Sequence, residues 1–385
     1  MSYAAMGRQS EIGHLRLFDF RNYELLDLSF QKRFVVFAGP NGAGKTNLLE
    51  ALSLLSPGRG LRRAPYGEMA RQGTQSGFSV KASVRIASEE TTVVTSVRLD
   101  GEGPNSRLVR IDETQAKSAE ELLDIARIVW LTPAMDGLFT GPAGDRRRFL
   151  DRMVLSIDPT HGRRASDFER AMRSRNKLLS DNRIDDRWLA GIEMQMAELG
   201  VAMAVARNEL VANLTNAIAL ADPDLPFPKA GLVLSPGFEE GGLDGPAVQV
   251  EDRYRERLAR DRYRDAGAGR TLEGPHRADL EVTHLAKHMP AGLSSTGEQK
   301  ALLVGLIIAH ARLTSVLSGM APILLLDEIA AHLDARRRAS LFDLVGDLGG
   351  QTFMTGTDES LFEALGDRAQ IITIADGAVR EPREE

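Results

Sequence analysis

Apolar positions along this chain follow two periods, and the switches between them mark out its elements. Between residues 11 and 38, HLRLFDF and then FVVFAG read as short strands, the second running straight into a glycine-rich loop. After the loop, TNLLEALSLL opens at Thr46 and carries its apolar residues at helical spacing. From 78 to 111, FSVKASVRI, TTVVTSVRL and RLVRI alternate apolar and polar residues between turn residues, which predicts antiparallel strands. IARIVWLTP, residues 125–133, predicts a buried strand stopped by Pro133.

From about residue 145 to 222 the period is helical almost throughout. WLAGIEMQMAELGVAMAVARNELVANLTNAIAL can form one helix of about 33 residues, roughly 50 Å long at 1.5 Å per residue. A helix that long calls for a packing partner, and 166–180 is the nearest candidate; ADPDLPFP ends it. A Gly-rich stretch, 236–246, leads to EDRYRERLARDRYRDAGAGR, with six arginines between 253 and 264. Glu251–Arg255 and Glu256–Arg260 stand there at i,i+4 spacing, which predicts a solvated, salt-laced helix ahead of a nucleic-acid contact. The last third returns to helix–strand alternation, with APILLLDE, QTFMTGTD and AQIITIAD as strands. The fold class is therefore α/β, a parallel core split by a helical insertion. We expect 1–140 and 300–385 to form one lobe and 141–299 a mainly helical one.

Composition adds bounds. A chain of 385 residues is expected to exceed one small core. No apolar run approaches the roughly 18 residues of a membrane helix, and MSYAAMGRQSEIG has no secretory layout, so no membrane is expected. With no cysteine, disulfides and thiolate metal sites are excluded and a reducing, cytoplasmic compartment is expected. Net charge is −6, yet between Asp145 and Lys177 ten Lys or Arg face five Asp or Glu. The forty arginines against eight lysines suit phosphate contacts, although genomic base composition produces the same bias.

The glycine loop carries the chemistry. GPNGAGKT sets Gly39 and Pro40 ahead of Asn41, Gly42, Ala43 and Gly44, then Lys45 and Thr46, between a strand and a helix. Backbone N–H groups of 41–46 can point into one concavity, and the helix N-terminus adds positive potential. Lys45 would reach the β and γ phosphates of ATP, and the Thr46 hydroxyl would coordinate Mg²⁺. The second element is ILLLDE, which ends in Asp327 and Glu328 at the C-terminal end of a strand, where ligands bind in open α/β sheets. Asp327 fits a second metal ligand, and Glu328 can polarise the attacking water. Lys45, Asp327 and Glu328 are the catalytic candidates.

Two further stretches narrow the class. Ser295, Thr296, Gly297, Glu298 and Gln299 precede an apolar helix, and Leu333–Asp334 follow Glu328. Taken in order, the four elements resemble the ABC-type ATPases: phosphate loop, signature, carboxylate strand and D-loop. That resemblance implies an ATPase head with a parallel core sheet, an antiparallel β subdomain and a helical lobe with a short arm. It also implies that Ser295, Gly297, Glu298 and Asp334 complete the nucleotide site of a second subunit in an ATP-dependent homodimer. FDFRNY (18–23), GRGLRR (58–63), LTPAMDGLFTGPAGDRRRFLD (131–151), SRNKLL (174–179) and GPHRADL (274–280) further resemble the RecF family of SMC-like repair ATPases, over residues 15 to about 375.

This resemblance implies ATP-gated binding of duplex DNA near single-strand gaps in recombinational repair, with RecR and RecO as partners and RecA loading as the outcome. Arg59, Arg62, Arg63, Arg146, Arg147 and Arg148 are the candidates for DNA phosphates. Three departures imply slow turnover. No glutamine follows the IVWLTP strand, where Met135 or Asp136 stands; Thr357 and Asp358 stand where a switch histidine is expected; and Thr296 replaces a signature glycine. The alternatives are a transporter nucleotide-binding subunit, opposed by the roughly 250 residues between Lys45 and Gly297, and another SMC-like or P-loop enzyme.

Overall fold

The structure, a computed structural model, describes residues 8–99, 106–181, 185–238, 242–375 and 377–380. Most of the N-terminal stretch read for a secretory layout, residues 1–7, lies outside them. The chain forms two compact units. One comprises Met1–Asp136, Ala221–Pro228 and Thr296–Glu385, the other Gly137–Leu220 and Lys229–Ser295.

The first unit begins with β1 (Arg8–Phe20), β2 (Tyr23–Ser29), β3 (Phe34–Ala38), α1 (Lys45–Ser53) and the single turn α2 (Tyr66–Met69). It continues with β4 (Phe78–Ile86), β5 (Glu89–Val97), β6 (Arg107–Ile111), β7 (Thr114–Gln115) and β8 (Ile128–Leu131). The second unit carries α3 (Ala143–Leu155), α4 (His161–Ser180), α5 (Asp186–Ala219), β9 (Ala230–Ser235), α6 (Ala247–Arg260), α7 (Arg262–Ala268), β10 (Asp279–His284) and β11 (Met289–Pro290). The chain then returns to the first unit with α8 (Thr296–Ser318), β12 (Met320–Ala321), β13 (Ile323–Leu326), α9 (Ala335–Asp347), β14 (Thr352–Gly356), β15 (Ala369–Ala375) and β16 (Ala378–Arg380).

Two sheets build the first unit. The core sheet runs β16-β15-β3-β14-β13-β8, parallel except for the β15–β16 hairpin. Its central strands are buried along their whole length, as strands covered on both faces must be. The second sheet runs β12-β1-β4-β5-β6-β7, with β2 also on β1. Leu15, Leu17, Val80, Ala82, Val84 and Val93 of its inner face share one apolar core with Val35, Phe37, Leu325 and Phe353 of the core sheet and Leu48, Leu49 and Leu52 of α1. That core fixes the loop between β3 and α1. Ala221–Pro228 had been expected in the helical lobe. It groups with the first unit, where Phe227 is buried and the Pro226 carbonyl accepts from Arg337 Nε at 3.2 Å.

In the second unit α4 and α5 pair as the short arm. Phe168, Ala171, Ile192 and Met196 pack with Val250, Tyr254 and Leu258 of α6. Asp185 caps α5, its side chain accepting from the N–H groups of Arg187 and Trp188. Arg175 is fully buried, and its guanidinium donates to Glu193, Asp265, Thr271 and the Leu258 carbonyl. The segment expected as one salt-laced helix breaks at Asp261 into α6 and α7, because Arg262 turns to bridge Glu193 and Asp186.

Two helices, α5 and α8, are long and apolar enough by composition to cross a membrane, with mean hydropathy 1.3 and 1.7. A search for one unbroken apolar run misses both, because scattered polar residues interrupt them. Leu302, Leu303, Val304, Leu306 and Ile307 of α8 are buried, whereas Trp188 and Met194 of α5 and Val316 of α8 are more than half exposed.

Candidate functional site

The phosphate loop is set by backbone constraints at its two ends. Gly39 leaves β3 with φ +149°, and a Cβ there would stand 2.0 Å from the Ile374 carbonyl oxygen. Gly44 caps α1 with φ +110°, where a Cβ would meet Asn22 Nδ2 and Tyr23 Oη at 2.6 Å. Only glycine fits either position. No side chain caps α1, so the first N–H groups of that helix are left to an anion. Asn22 Nδ2 donates to the Ala43 carbonyl at 3.5 Å, and Asn47 Nδ2 donates to Asn22 Oδ1 at 2.7 Å. Pro40, Asn41 and Gly42 are exposed at the tip.

Inside the loop, Lys45 is 3% exposed and donates from Nζ to the carbonyls of Gly39 at 2.7 Å and Pro40 at 2.9 Å. Burial pushes its ammonium down, and the Glu328 and Asp327 carboxylates work against that. Thr46 Oγ1 donates to Asp327 Oδ1 at 2.9 Å. The loop and the carboxylate strand, 281 residues apart in sequence, thus meet in one hydrogen bond.

Asp327 directly follows β13 and is 4% exposed, with its N–H bonded to the Leu131 carbonyl. Burial raises its carboxyl above the ordinary value, opposed by hydrogen bonds from Thr355 and Thr46 and by the Arg62 charge. Glu328 follows in the left-handed region, φ 53° and ψ 18°, and its N–H donates to Thr355 Oγ1 at 2.8 Å. Among the described residues no group of three or more His, Asp or Glu could hold a metal. A hard divalent cation here would therefore rest on Thr46 and Asp327 with nucleotide oxygens completing its shell, a donor set that suits Mg²⁺.

The other sequence candidates divide. Ser295, Thr296 and Gly297 are exposed at the start of α8, and Glu298 is half-buried on its first turn. Asp334 caps α9, accepting from the Arg337 N–H at 2.8 Å. Asp136, in the loop lacking glutamine, pairs with Lys300 at 2.8 Å. Thr357 is exposed and Asp358 accepts from the Ser360 N–H, while Thr355, two residues before Thr357, bonds the Asp327 carboxylate and the Glu328 N–H.

The six arginine candidates sit in different surroundings. Arg62 reaches back onto α1, donating to Asn47 Oδ1 at 2.5 Å and to Glu50 Oε2 at 3.0 Å. Glu50 is fully buried and is also held by Arg21 through two bonds of 2.7 Å. Arg146 makes a two-pronged pair with Asp279 at 2.7 and 2.8 Å and donates to the Gly141 carbonyl at 2.6 Å. Arg147 donates to the Ala278 carbonyl at 2.8 Å, and Arg148 pairs with Asp145. Arg59 stands over the Tyr66 ring at 5.9 Å, and Arg63 is exposed at φ 57°. Counting charge along a sequence cannot see partners that lie more than a hundred residues away.

Thr355, Asn22, Arg21 and Glu50 escaped the sequence reading. Only Arg21 and Asn22 carried a signal, as part of FDFRNY.

A family model described as the RecF/RecN/SMC N terminal domain matches residues 11–380. The chain is 60% identical to the DNA replication and repair protein RecF of Rhizobium leguminosarum bv. trifolii (strain WSM2304), over 98% of this chain and 100% of that one. It is 57% identical to RecF of Rhizobium meliloti (strain 1021), over 95% and 97%. Among solved structures, the recombination mediator protein RecF-ATP in the RecFOR pathway superposes with TM-score 0.84 at 23% identity, covering 97% of this chain and 99% of that one. The Smc head domain of Pyrococcus furiosus superposes with TM-score 0.51 at 17% identity, over 96% and 95%. These last two likenesses show a shared fold. With its own loop, carboxylate strand and near full-length identity agreeing, the chain belongs to the RecF family.

Proposed function

We propose that this chain is an ATP-dependent DNA-binding protein of recombinational repair, in which the loop between β3 and α1 binds ATP. The observation that carries the nucleotide site is the Thr46–Asp327 hydrogen bond, which brings the loop and the carboxylate strand to one point. Relatives named for DNA replication and repair, and a solved relative named with ATP and the RecFOR pathway, support the setting.

The roles follow from the atoms. Lys45, resting on two carbonyls, would turn its ammonium to the β and γ phosphates. Thr46 and Asp327 would hold Mg²⁺, which neutralises charge building on the transferred phosphoryl group. Glu328 would take the proton of the attacking water. Ser295 and Gly297 are exposed and Glu298 is half-exposed, and in this reading they would meet the nucleotide of a second copy. Hydrolysis would be weak and would reset the DNA-bound dimer, and RecR and RecO are the partners in this reading.

DNA contact in this reading uses exposed cations, of which Arg16 also stands 3.9 Å from the Asp27 carboxylate. Strand register sets Arg16, Lys81 and Arg110 in one row across β1, β4 and β6, with Val94 of β5 between the last two. All three are exposed, and Phe18, 49% exposed, heads the next row. Arg59 and Arg63 are exposed as well. Such contacts read phosphates rather than sequence.

Sedimentation with and without ATP and duplex DNA tests the reading. ATP should shift the chain from monomer to dimer, and duplex should bind the ATP form more tightly. Reversing Arg16, Lys81 and Arg110 together should lower the salt slope of binding by about 2 to 3, at about 0.9 per phosphate contact. An unchanged slope places DNA elsewhere, and no ATP-dependent dimer sinks the shared-site reading.

A further inference from the structure

Thr355 closes β14, the strand lying between β3 and β13, and is 1% exposed. Its Oγ1 donates to Asp327 Oδ1 at 2.8 Å and accepts the Glu328 N–H at 2.8 Å. A carboxylate can only accept and an amide N–H can only donate, so the polarity of this hydroxyl is fixed. Its single proton goes to Asp327 and a lone pair to Glu328. Thr352, at the other end of the same strand, is equally buried and its hydroxyl has no partner. Burial of a threonine in β14 therefore does not by itself require these bonds.

Glu328 needs what Thr355 gives. At φ 53° it sits in the left-handed region that a residue with a Cβ rarely adopts, so the surroundings must hold it there. We propose that Thr355 is a positioning residue for ATP hydrolysis, joining the Asp327 carboxylate and the Glu328 backbone into one rigid piece. Thr46 shares the same Asp327 oxygen, so the loop, the metal-binding carboxylate and the base move together. In this chain Thr355 supplies the link from β14 to the Asp327 carboxylate and the Glu328 backbone. The inference rests on the ATPase reading above.

The test compares Thr355→Val, which keeps the shape and removes the hydroxyl, with Thr355→Ser, which keeps the hydroxyl. Each is measured for ATP affinity by titration and for steady-state hydrolysis, with Glu328→Gln as control. The valine variant should bind ATP within ~3-fold of the parent while kcat falls by ~10-fold or more, since misplacing a reacting group is costly. The serine variant should recover kcat to within ~3-fold, because one hydrogen bond of this kind is worth about a factor of ten.

A second readout needs no hydrolysis. In nucleotide-free protein, hydrogen exchange of the Glu328 amide should quicken by ~10-fold in the valine variant and not in the serine variant. Parental kcat in Thr355→Val, or a serine variant no better than valine, overturns the proposal. If valine does not fold by circular dichroism, Thr355→Ala takes its place; should alanine and serine also be unfolded, the residue is merely structural and the proposal fails. If Glu328→Gln leaves hydrolysis unchanged, the ATPase reading has failed, and amide exchange alone decides the role of Thr355.

Discussion

Two buried or half-buried cations, Lys45 and Arg146, are held by opposite means. At the phosphate loop the Lys45 ammonium rests on the carbonyls of Gly39 and Pro40. These are dipoles without net charge, so the full positive charge remains for an incoming anion. On α3 the Arg146 guanidinium rests on both oxygens of Asp279, and its charge is cancelled. A cation parked on carbonyls is available to a ligand, whereas one matched by a carboxylate is part of the fold. Coulomb energy explains the asymmetry, since a phosphate must outbid a dipole in the first case and a carboxylate already in contact in the second.

The largest expected effect tests the loop side of this contrast. Lys45→Ala should weaken ATP binding at least about a hundredfold, about 3 kcal/mol, because charge-assisted hydrogen bonds to two phosphates are lost. Parental affinity in calorimetric titration would remove the contrast at its root.

Next comes a titration that reads the α3 side. His276 donates from Nε2 to the Thr271 carbonyl at 2.9 Å. Burial, with the charges of Arg277, Arg147 and Arg207, pushes it down from 6.5 to about 4, against the Thr271 hydrogen bond. Neutral in the fold and ordinary when unfolded, it takes up a proton on unfolding between those values. Its contribution is complete above pH 6.5 and is lost as pH falls toward 4, about 3 kcal/mol at most. Urea unfolding of the parent should show this fall, and His276→Gln should flatten it. A parent with no slope between pH 6.5 and 4 means the arginines around it are screened by water.

Arg146→Ala should destabilise the second unit by about 2 kcal/mol, since it leaves Asp279 unpaired and partly shielded from solvent. DNA affinity at fixed salt should stay near the parent's. A stable variant with weakened, less salt-sensitive DNA binding would make Arg146 a phosphate contact and reverse the contrast. The smallest effect is expected for Arg148→Ala. Its pair with Asp145 is about half exposed on both sides, so stability should change by less than about 0.5 kcal/mol in thermal unfolding.

The contrast also explains what was legible beforehand. Strand, loop and helix around Gly39–Thr46 are consecutive, and Gly39 and Gly44 take positive φ, whereas the close approaches of Ile374, Asn22 and Tyr23 to them come from far along the chain. The long helix, expected over 188–220, runs over Asp186–Ala219 because its periodicity and Asp185 cap are local too. Arg146 and Asp279 are 133 residues apart, and Thr355 and Asp327 are 28 apart on neighbouring strands. Such pairs exist only once the sheets are assembled. The break at Asp261 likewise depends on Glu193, a residue of another helix. Arg62, a candidate for DNA phosphates, also bonds Glu50, which lies on α1 twelve residues earlier.

The strand order of the core sheet has a consequence for the order in which the protein is made. β3 is flanked by β14 and β15, the first of which starts at Thr352, more than three hundred residues after β3 ends at Ala38. At about 5 to 20 residues per second, a ribosome needs roughly 15 to 60 seconds to deliver those neighbours. Through that interval the phosphate-loop strand has neither partner, while the pieces of the helical unit, 137–220 and 229–295, are complete well before β14. Nascent chains arrested before residue 352 should therefore protect the helical unit from protease and leave the loop open to cleavage, so that ATP competence has to wait for β14.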